Sequence, residues 1–205
     1  MKRGSSLFRP VETAIVANGD FPRKGSFARD ALARAKRVVC CDGAADVFRR
    51  IMKREPDAVV GDCDSLKGRF ANVVCDPGQD DNDLAKAARH CRKSGWKDPV
   101  VFGATGKRPD HAIGNIFRAL DEGLAIYTDC GCFIPVEGRA AICAGKGAPV
   151  SVFAPDPSTK MTSKGLEWPL DGIAFPNLYC ATLNRTTSAK IELYSSRRVY
   201  VYFGA

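Results

Sequence analysis

Carboxylates recur at short intervals in the first part of this 205-residue chain, and their spacing suggests metal-assisted phosphate chemistry. In Gly61-Asp62-Cys63-Asp64-Ser65 two aspartates flank one residue. In extended chain, residues i and i+2 point to the same side, so the two carboxylates would stand together. They repel unless a cation joins them. Mg2+ suits such a pair, because it takes one or two carboxylates plus phosphate oxygens and keeps several waters. A solvated turn with capping aspartates would have the same sequence. Asp80, Asp81 and Asp83 cluster before Lys86. On a helix Asp83 and Lys86 share a face, which would set a metal ligand beside a phosphate-binding cation, although acidic residues also simply complement a helix N-terminus.

A third cluster is Gly103-Ala104-Thr105-Gly106-Lys107-Arg108-Pro109-Asp110-His111. Glycines let backbone amides approach phosphate, and Lys107 and Arg108 bring charge. The spacing is not that of a Walker loop. His111 and Asn115 lie one helical turn apart, on the face away from Ile113 and Ile116, and would look into a crevice; His111 could equally help cap its helix. Near the C-terminus, Trp168 in Gly165-Leu166-Glu167-Trp168-Pro169-Leu170 is either core or a stacking surface for a flat or cationic ligand.

These residues need elements to hold them. Short apolar runs at Thr13–Asn18, Arg37–Cys41, Asp57–Val60 and Pro99–Phe102 read as strands, with a further one at Phe70–Cys75. Helical spacing covers Phe27–Ala35, the segment through Val47, Phe48 and Ile51, and Asn82–Lys93, where Leu84, Ala87, Ala88 and Cys91 form one stripe. Asp110 is expected to cap a last helix reaching Leu120, whose stripe is Ile113, Ile116, Phe117 and Leu120. This alternation argues for an α/β domain with a mostly parallel sheet. Ligands of such sheets bind outside the carboxyl ends of the strands. Asn18-Gly19-Asp20, Asp42-Gly43, Asp62-Cys63-Asp64 and the loop before Asp110 all fall there.

From about Leu124 helical periodicity stops. Short β-like runs follow at Ala140–Cys143, Pro149–Phe153, Lys190–Tyr194 and Val199–Phe203, separated by Gly, Pro, Asn and Ser. They predict an antiparallel sandwich or barrel. The expected division is 1–128 for the α/β domain and 129–205 for the β domain.

Composition narrows the class. The apolar fraction of 45% supports a sizeable core, and no apolar run is long enough for a membrane-spanning helix. The basic start, Met1-Lys2-Arg3-Gly4-Ser5-Ser6-Leu7, lacks the apolar stretch of a signal peptide. The net charge of +8 is scattered in clusters such as Arg34/Lys36/Arg37 and Arg49/Arg50/Lys53/Arg54, which read as solvated helix faces. Nine cysteines, mostly in apolar segments and without zinc spacing, are expected to be buried reduced thiols of a cytoplasmic protein. Neither nucleic acid nor a membrane is expected as a partner.

Taken together the motifs resemble the thiamine pyrophosphokinase family. Asp42-Gly43-Ala44, Gly61-Asp62-Cys63-Asp64-Ser65, Gln79-Asp80-Asp81-Asn82-Asp83-Leu84-Ala85-Lys86-Ala87 and the Gly103–His111 segment with Asn115 occur in the family's order. Gly165-Leu166-x-Trp168-x-Leu170 matches more weakly. The resemblance implies a Rossmann-like α/β domain followed by a β-sandwich, and a homodimer whose active-site cleft takes residues from both subunits. It implies that Asp62, Asp64 and Asp83 hold Mg2+, and that Asp42, Gln79, Lys86, Arg108 and Asn115 bind ATP. It sets Asp110 and His111 close to the reacting groups, and Trp168 with Asn184 on the thiamine side. The implied reaction moves pyrophosphate from ATP to the thiamine hydroxyl and releases AMP. Another Mg2+-dependent phosphoryl or nucleotidyl transferase, or a non-catalytic nucleotide-binding protein, would share the acidic crevice. Three positions depart from the family: Asn82 replaces a frequent Thr, Lys107 replaces a Gly, and Leu183 replaces the Ser of a Ser-Asn pair.

Overall fold

A computed structural model describes residue 7 and residues 9–204. The basic N-terminal stretch read above lies almost entirely outside the described residues. The described residues form two compact units, one of residues 10–129 and one containing residues 130–204.

The first unit alternates β1 (Thr13–Val16), α1 (Phe27–Arg34), β2 (Arg37–Cys41), α2 (Asp42–Met52), β3 (Ala58–Gly61), β4 (Val73–Cys75), α3 (Asp83–Lys93), β5 (Val100–Phe102), α4 (Pro109–Asp121) and β6 (Ala125–Thr128). Its strands are all parallel, in the order β6-β5-β1-β2-β3-β4. Strands covered on both faces read as unbroken apolar runs, and β1, β3 and β5 are buried throughout. From β1 the chain proceeds outward through β2, β3 and β4, then returns to lay β5 and β6 on the other side. The direction of winding therefore reverses between β1 and β5, and the crevice outside their carboxyl ends is the expected ligand position.

The caps explain where the helices begin. Ser26 accepts the Arg29 amide ahead of α1, and Asn82 accepts the Ala85 amide at 3.0 Å ahead of α3. α4 differs from expectation. It starts with Pro109, a residue suited to the first turn because it has no amide hydrogen to leave unpaired. Arg108 occupies the cap position, and Asp110 turns to Arg108 instead of capping. The apolar stripe of α4 is also only partly covered: Leu120 is buried, Ile116 and Phe117 are half-buried, and Ile113 is 58% exposed.

The second unit is antiparallel. β7 (Gly131–Cys143) pairs along its length with β11 (Lys190–Gly204), and β8 (Pro149–Phe153), β9 (Met161–Lys164) and β10 (Ala181–Arg185) complete it. The two separate runs expected at 190–194 and 199–203 are one strand. Its register slips between Ser195 and Val199, and it pairs with β9 before the slip and β8 after it. Ile191, Leu193, Val199, Val201 and Phe203 are buried from this strand.

The cysteine reading needs correction. Cys63 and Cys75 form a disulfide, Cys130, Cys143 and Cys180 reach the surface, and burial holds for Cys40, Cys41, Cys91 and Cys132. The cause is register. β3 and β4 pair with Gly61 opposite Cys75, so the turn leaving β3 brings Cys63 beside the end of β4. The basic clusters are also more than solvated faces. Arg54 donates to the Ala35 and Lys36 carbonyls and to Asp57, and Arg49 pairs with Asp46 while covering the Phe70 ring.

Candidate active site

Two strand ends and the start of α3 build the acidic side of a cleft within the first unit. β2 runs directly into α2, so Asp42 is the first helical residue and is buried. It lies over the end of β3, where Gly61 is required: a Cβ there would stand 2.8 Å from the Asp42 carboxyl carbon. The Asp42 carboxylate accepts the Gly43 and Ser65 amides at 2.5 and 3.4 Å. Past Gly61, the Asp64 amide donates to Asp62 at 3.3 Å and the Ser65 hydroxyl to Asp64 at 3.0 Å. Asp42, Asp62 and Asp64 each offer an oxygen within 4.8 Å of the others.

Asp83, first residue of α3, borders this trio. Burial, then the Asp42 and Asp62 carboxylates, push its carboxyl up to about 6, against the pull of Lys86. Asp62 is held below the usual carboxylate range, first by the Asp64 amide and then by the Asp64 side chain. An all-oxygen donor set, crowded enough to raise one member toward neutrality, fits a hard divalent cation.

Lys86 faces these carboxylates from α3. The pattern assigned it to the face opposite the apolar stripe, but its side chain is buried. Its ammonium donates to the Asp76 carbonyl at 2.7 Å and stands 3.8 Å from Asp83. The Asp76 carbonyl comes from the loop ahead of the helix, a contact that helical periodicity does not encode. Asp81 also has a fixed task, holding both Arg89 and Arg118 and so tying α3 to α4.

The other wall comes from the turns after β1 and β5. Gly19 donates to the Gly103 carbonyl at 2.7 Å and Asp20 to the Thr105 carbonyl at 2.7 Å. A Cβ on Gly19 would collide with both carbonyls, so only glycine lets the turns meet. Lys107 takes the left-handed conformation, φ 52°, where the family pattern has glycine, and its ammonium donates to the Asn18 side chain at 2.9 Å. Asn82 donates to Asn115, which donates to the Ala104 carbonyl, linking the wall to the α3 cap.

The resulting cleft holds about 400 Å³. Of the residues singled out in the sequence, Asp42, Asp62, Gln79, Asp83, Lys86, Arg108, His111 and Asn115 line it. Asp64 belongs to its carboxylate trio. Asp110 is not among the lining residues. It forms an exposed ion pair with Arg108, which holds its carboxyl down at about 2, a poor match for a proton acceptor at neutral pH. Asn18 and Gly19 line the cleft without having been assigned a role, and Lys107, expected only to bring charge, lines it too. Their signal was the strand-end position of Asn18-Gly19-Asp20 and the Gly103–His111 loop.

In the second unit Trp168 is 58% exposed, which rejects the core reading. Asn184 is buried, and its amide is spent on the Trp168 backbone: it donates to the Trp168 carbonyl at 2.7 Å and accepts the Trp168 amide at 3.2 Å. It therefore positions Trp168. Leu183, at φ 61°, is 86% exposed.

Sequence comparison identifies the family. Residues 28–127 match the family described as thiamin pyrophosphokinase, catalytic domain, and residues 131–202 match thiamin pyrophosphokinase, substrate-binding domain. The chain is thus an enzyme of the kinase class of transferases. It belongs to the thiamin pyrophosphokinase family, whose substrates are ATP and thiamine. No curated protein matches the chain. Solved structures share its mixed α/β fold with a C-terminal antiparallel region. A thiamin pyrophosphokinase family protein from Enterococcus faecalis superposes with a TM-score of 0.75 at 14% identity, covering 95% of this chain and 98% of that one. Thiamin pyrophosphokinase from Candida albicans gives 0.73 at 13%, covering 95% and 89%. The Bacillus subtilis enzyme gives 0.71 at 17%, covering 94% and 98%.

Proposed function

We propose that the cleft of the first unit binds ATP with Mg2+ and is where the thiamine hydroxyl attacks the β-phosphorus, so that the bond to the α-phosphate oxygen breaks and AMP leaves. The carrying observation is the convergence of Asp42, Asp62 and Asp64 within 4.8 Å, bordered by Asp83 and faced by Lys86. Asp62 and Asp64, with Asp42 or Asp83, would hold the metal. When bound, Mg2+ offsets charge on the phosphate oxygens. Lys86, immobilised by the Asp76 carbonyl, presents a fixed positive charge to the same phosphates. Asn18, Gln79, Lys107 and Arg108, which line the cleft, would contact the phosphates, and His111, which lines it too, would bond the reacting groups. Because Asp110 is paired with Arg108 and strongly acidic, its role is to orient that guanidinium.

The first unit is read as Rossmann-like and the second as a β-sandwich that carries the thiamine contact. The exposed Trp168 indole supplies a face for the thiazolium cation. The enzyme is read as a cytoplasmic homodimer whose cleft is completed by both subunits, a reading favoured by the exposed Ile113 on α4, the helix that carries His111 and Asn115. Among the described residues no helix is long and apolar enough to cross a membrane.

The test is divalent-ion dependence in wild type and Asp62→Ala. Turnover should require Mg2+ and vanish in the variant while the fold persists by circular dichroism. Full turnover in either EDTA or the variant would remove the acidic cleft from the reaction.

A further inference from the structure

The disulfide joins two segments on the acidic side of the proposed cleft through one covalent link. Cys63 stands between Asp62 and Asp64, and its partner Cys75 ends β4, with Cα atoms 5.7 Å apart. The residue after Cys75 is Asp76, whose amide donates to the Gly61 carbonyl at 2.8 Å and whose carbonyl receives the Lys86 ammonium. The bond therefore ties the acidic turn to the segment that anchors the buried cation. Cys63 also adopts φ 70°, a left-handed conformation that a non-glycine residue keeps only where neighbours hold it. The other restraints on this turn are hydrogen bonds. The Ser65 amide reaches Asp42 at 3.4 Å, the Lys67 and Gly68 amides reach Asp46 at 3.3 and 3.2 Å, and the bonds from the Asp64 amide to Asp62 and from the Ser65 hydroxyl to Asp64 are internal to the turn.

From this geometry we infer that the Cys63–Cys75 cross-link is a positioning element of the reaction, which sets Asp62 and Asp64 for the divalent cation and makes metal affinity depend on thiol redox state. The inference rests on the reading of the cleft given above. Cys75 is exposed on an edge strand and Cys63 is partly so, which leaves the bond open to a dithiol reductant. In the exchange one thiolate of the dithiol attacks a cysteine sulfur, the Cys63–Cys75 bond breaks, and the second thiol closes the reductant's own disulfide. Two electrons and two protons pass to the cysteines, which become two thiols. The freed turn keeps its carboxylates but loses their fixed separation. Residues that only orient metal ligands are worth roughly 10- to 100-fold in affinity.

The experiment titrates Mn2+ alone into nucleotide-free protein by electron paramagnetic resonance. Oxidised wild type is compared with dithiothreitol-reduced and desalted wild type, with reoxidised wild type, and with Cys75→Ser. Reduction should weaken Mn2+ about tenfold and raise the KM for Mg2+ in turnover to match, with kcat at saturating Mg2+ within about twofold. Reoxidation should restore both, and Cys75→Ser should reproduce the reduced state and ignore reductant. Unchanged Mn2+ affinity on reduction, with at most a lower Tm, would show a merely structural cross-link and overturn the inference. Reductant sensitivity surviving in Cys75→Ser would assign the effect to another cysteine. Mn2+ affinity that survives in Asp62→Ala would instead defeat the reading of the cleft.

Discussion

Replacing Asp83 by asparagine should stabilise the metal-free protein while disabling the enzyme. The Asp83 carboxyl is held up at about 6 because it is partly buried beside Asp42 and Asp62. An ordinary aspartate titrates near about 3.9, so full linkage would amount to about 3 kcal/mol at neutral pH. The side chain is 32% exposed and Lys86 stands 3.8 Å away, so solvent screening leaves about 1 kcal/mol. The folded state binds this proton more tightly than the unfolded chain. Its stabilising contribution is therefore complete below about pH 4 and is lost as pH rises through about 6. In EDTA, Asp83→Asn should melt with wild type near pH 4 and about 2–4 °C higher at pH 7.5, as 1 kcal/mol implies for a chain of this size. Saturating Mg2+ should reverse the order at pH 7.5, because the wild type then gains a ligand-stabilised state that the variant lacks. Differential scanning calorimetry across that range is the assay, with kcat/KM expected to fall about 100-fold in the variant. A variant that melts below wild type in EDTA at pH 7.5 would refute the crowding of carboxylates on which the metal site rests.

Trp168→Ala should raise the KM for thiamine about tenfold, the equivalent of about 1.4 kcal/mol of lost stacking and cation–π contact, while leaving the KM for ATP unchanged in steady-state kinetics. Because the indole is 58% exposed, the Tm should move by less than about 2 °C. Lys107→Gly removes a left-handed lysine costing about 1 kcal/mol and also removes its hydrogen bond to Asn18, so the melting temperature should change little. The KM for ATP should rise about fivefold, as loss of about 1 kcal/mol of phosphate attraction requires.

Much of the first unit was legible because its signals are local. The stripe of Leu84, Ala87, Ala88 and Cys91 marks α3, and apolar runs ending in Gly and Asp mark β1, β2 and β3. The strand-end rule was enough to gather Asn18, Asp42, Asp62 and Arg108 in one cleft, while Gln79 came from the family resemblance. What escaped depends on contacts between distant segments. Asp42 joins Asp62 and Asp64 because Gly61 leaves room above β3, and Lys86 is buried because the Asp76 carbonyl meets it; neither has a periodicity. The disulfide depends on the register of a three-residue edge strand, and a count of nine cysteines carries no register. In the second unit, the slip between Ser195 and Val199 made one strand read as two. Trp168 escaped a firm reading because exposure of an aromatic in a β unit is decided by its neighbours, here the buried Asn184 that holds its backbone.

The most direct test identifies the products. Purified protein incubated with thiamine, ATP and Mg2+ should form thiamine diphosphate and AMP in equal amounts, measured by chromatography, and Asp62→Ala should form neither. Thiamine monophosphate accompanied by ADP, or full product formation by Asp62→Ala, would contradict pyrophosphoryl transfer in this cleft.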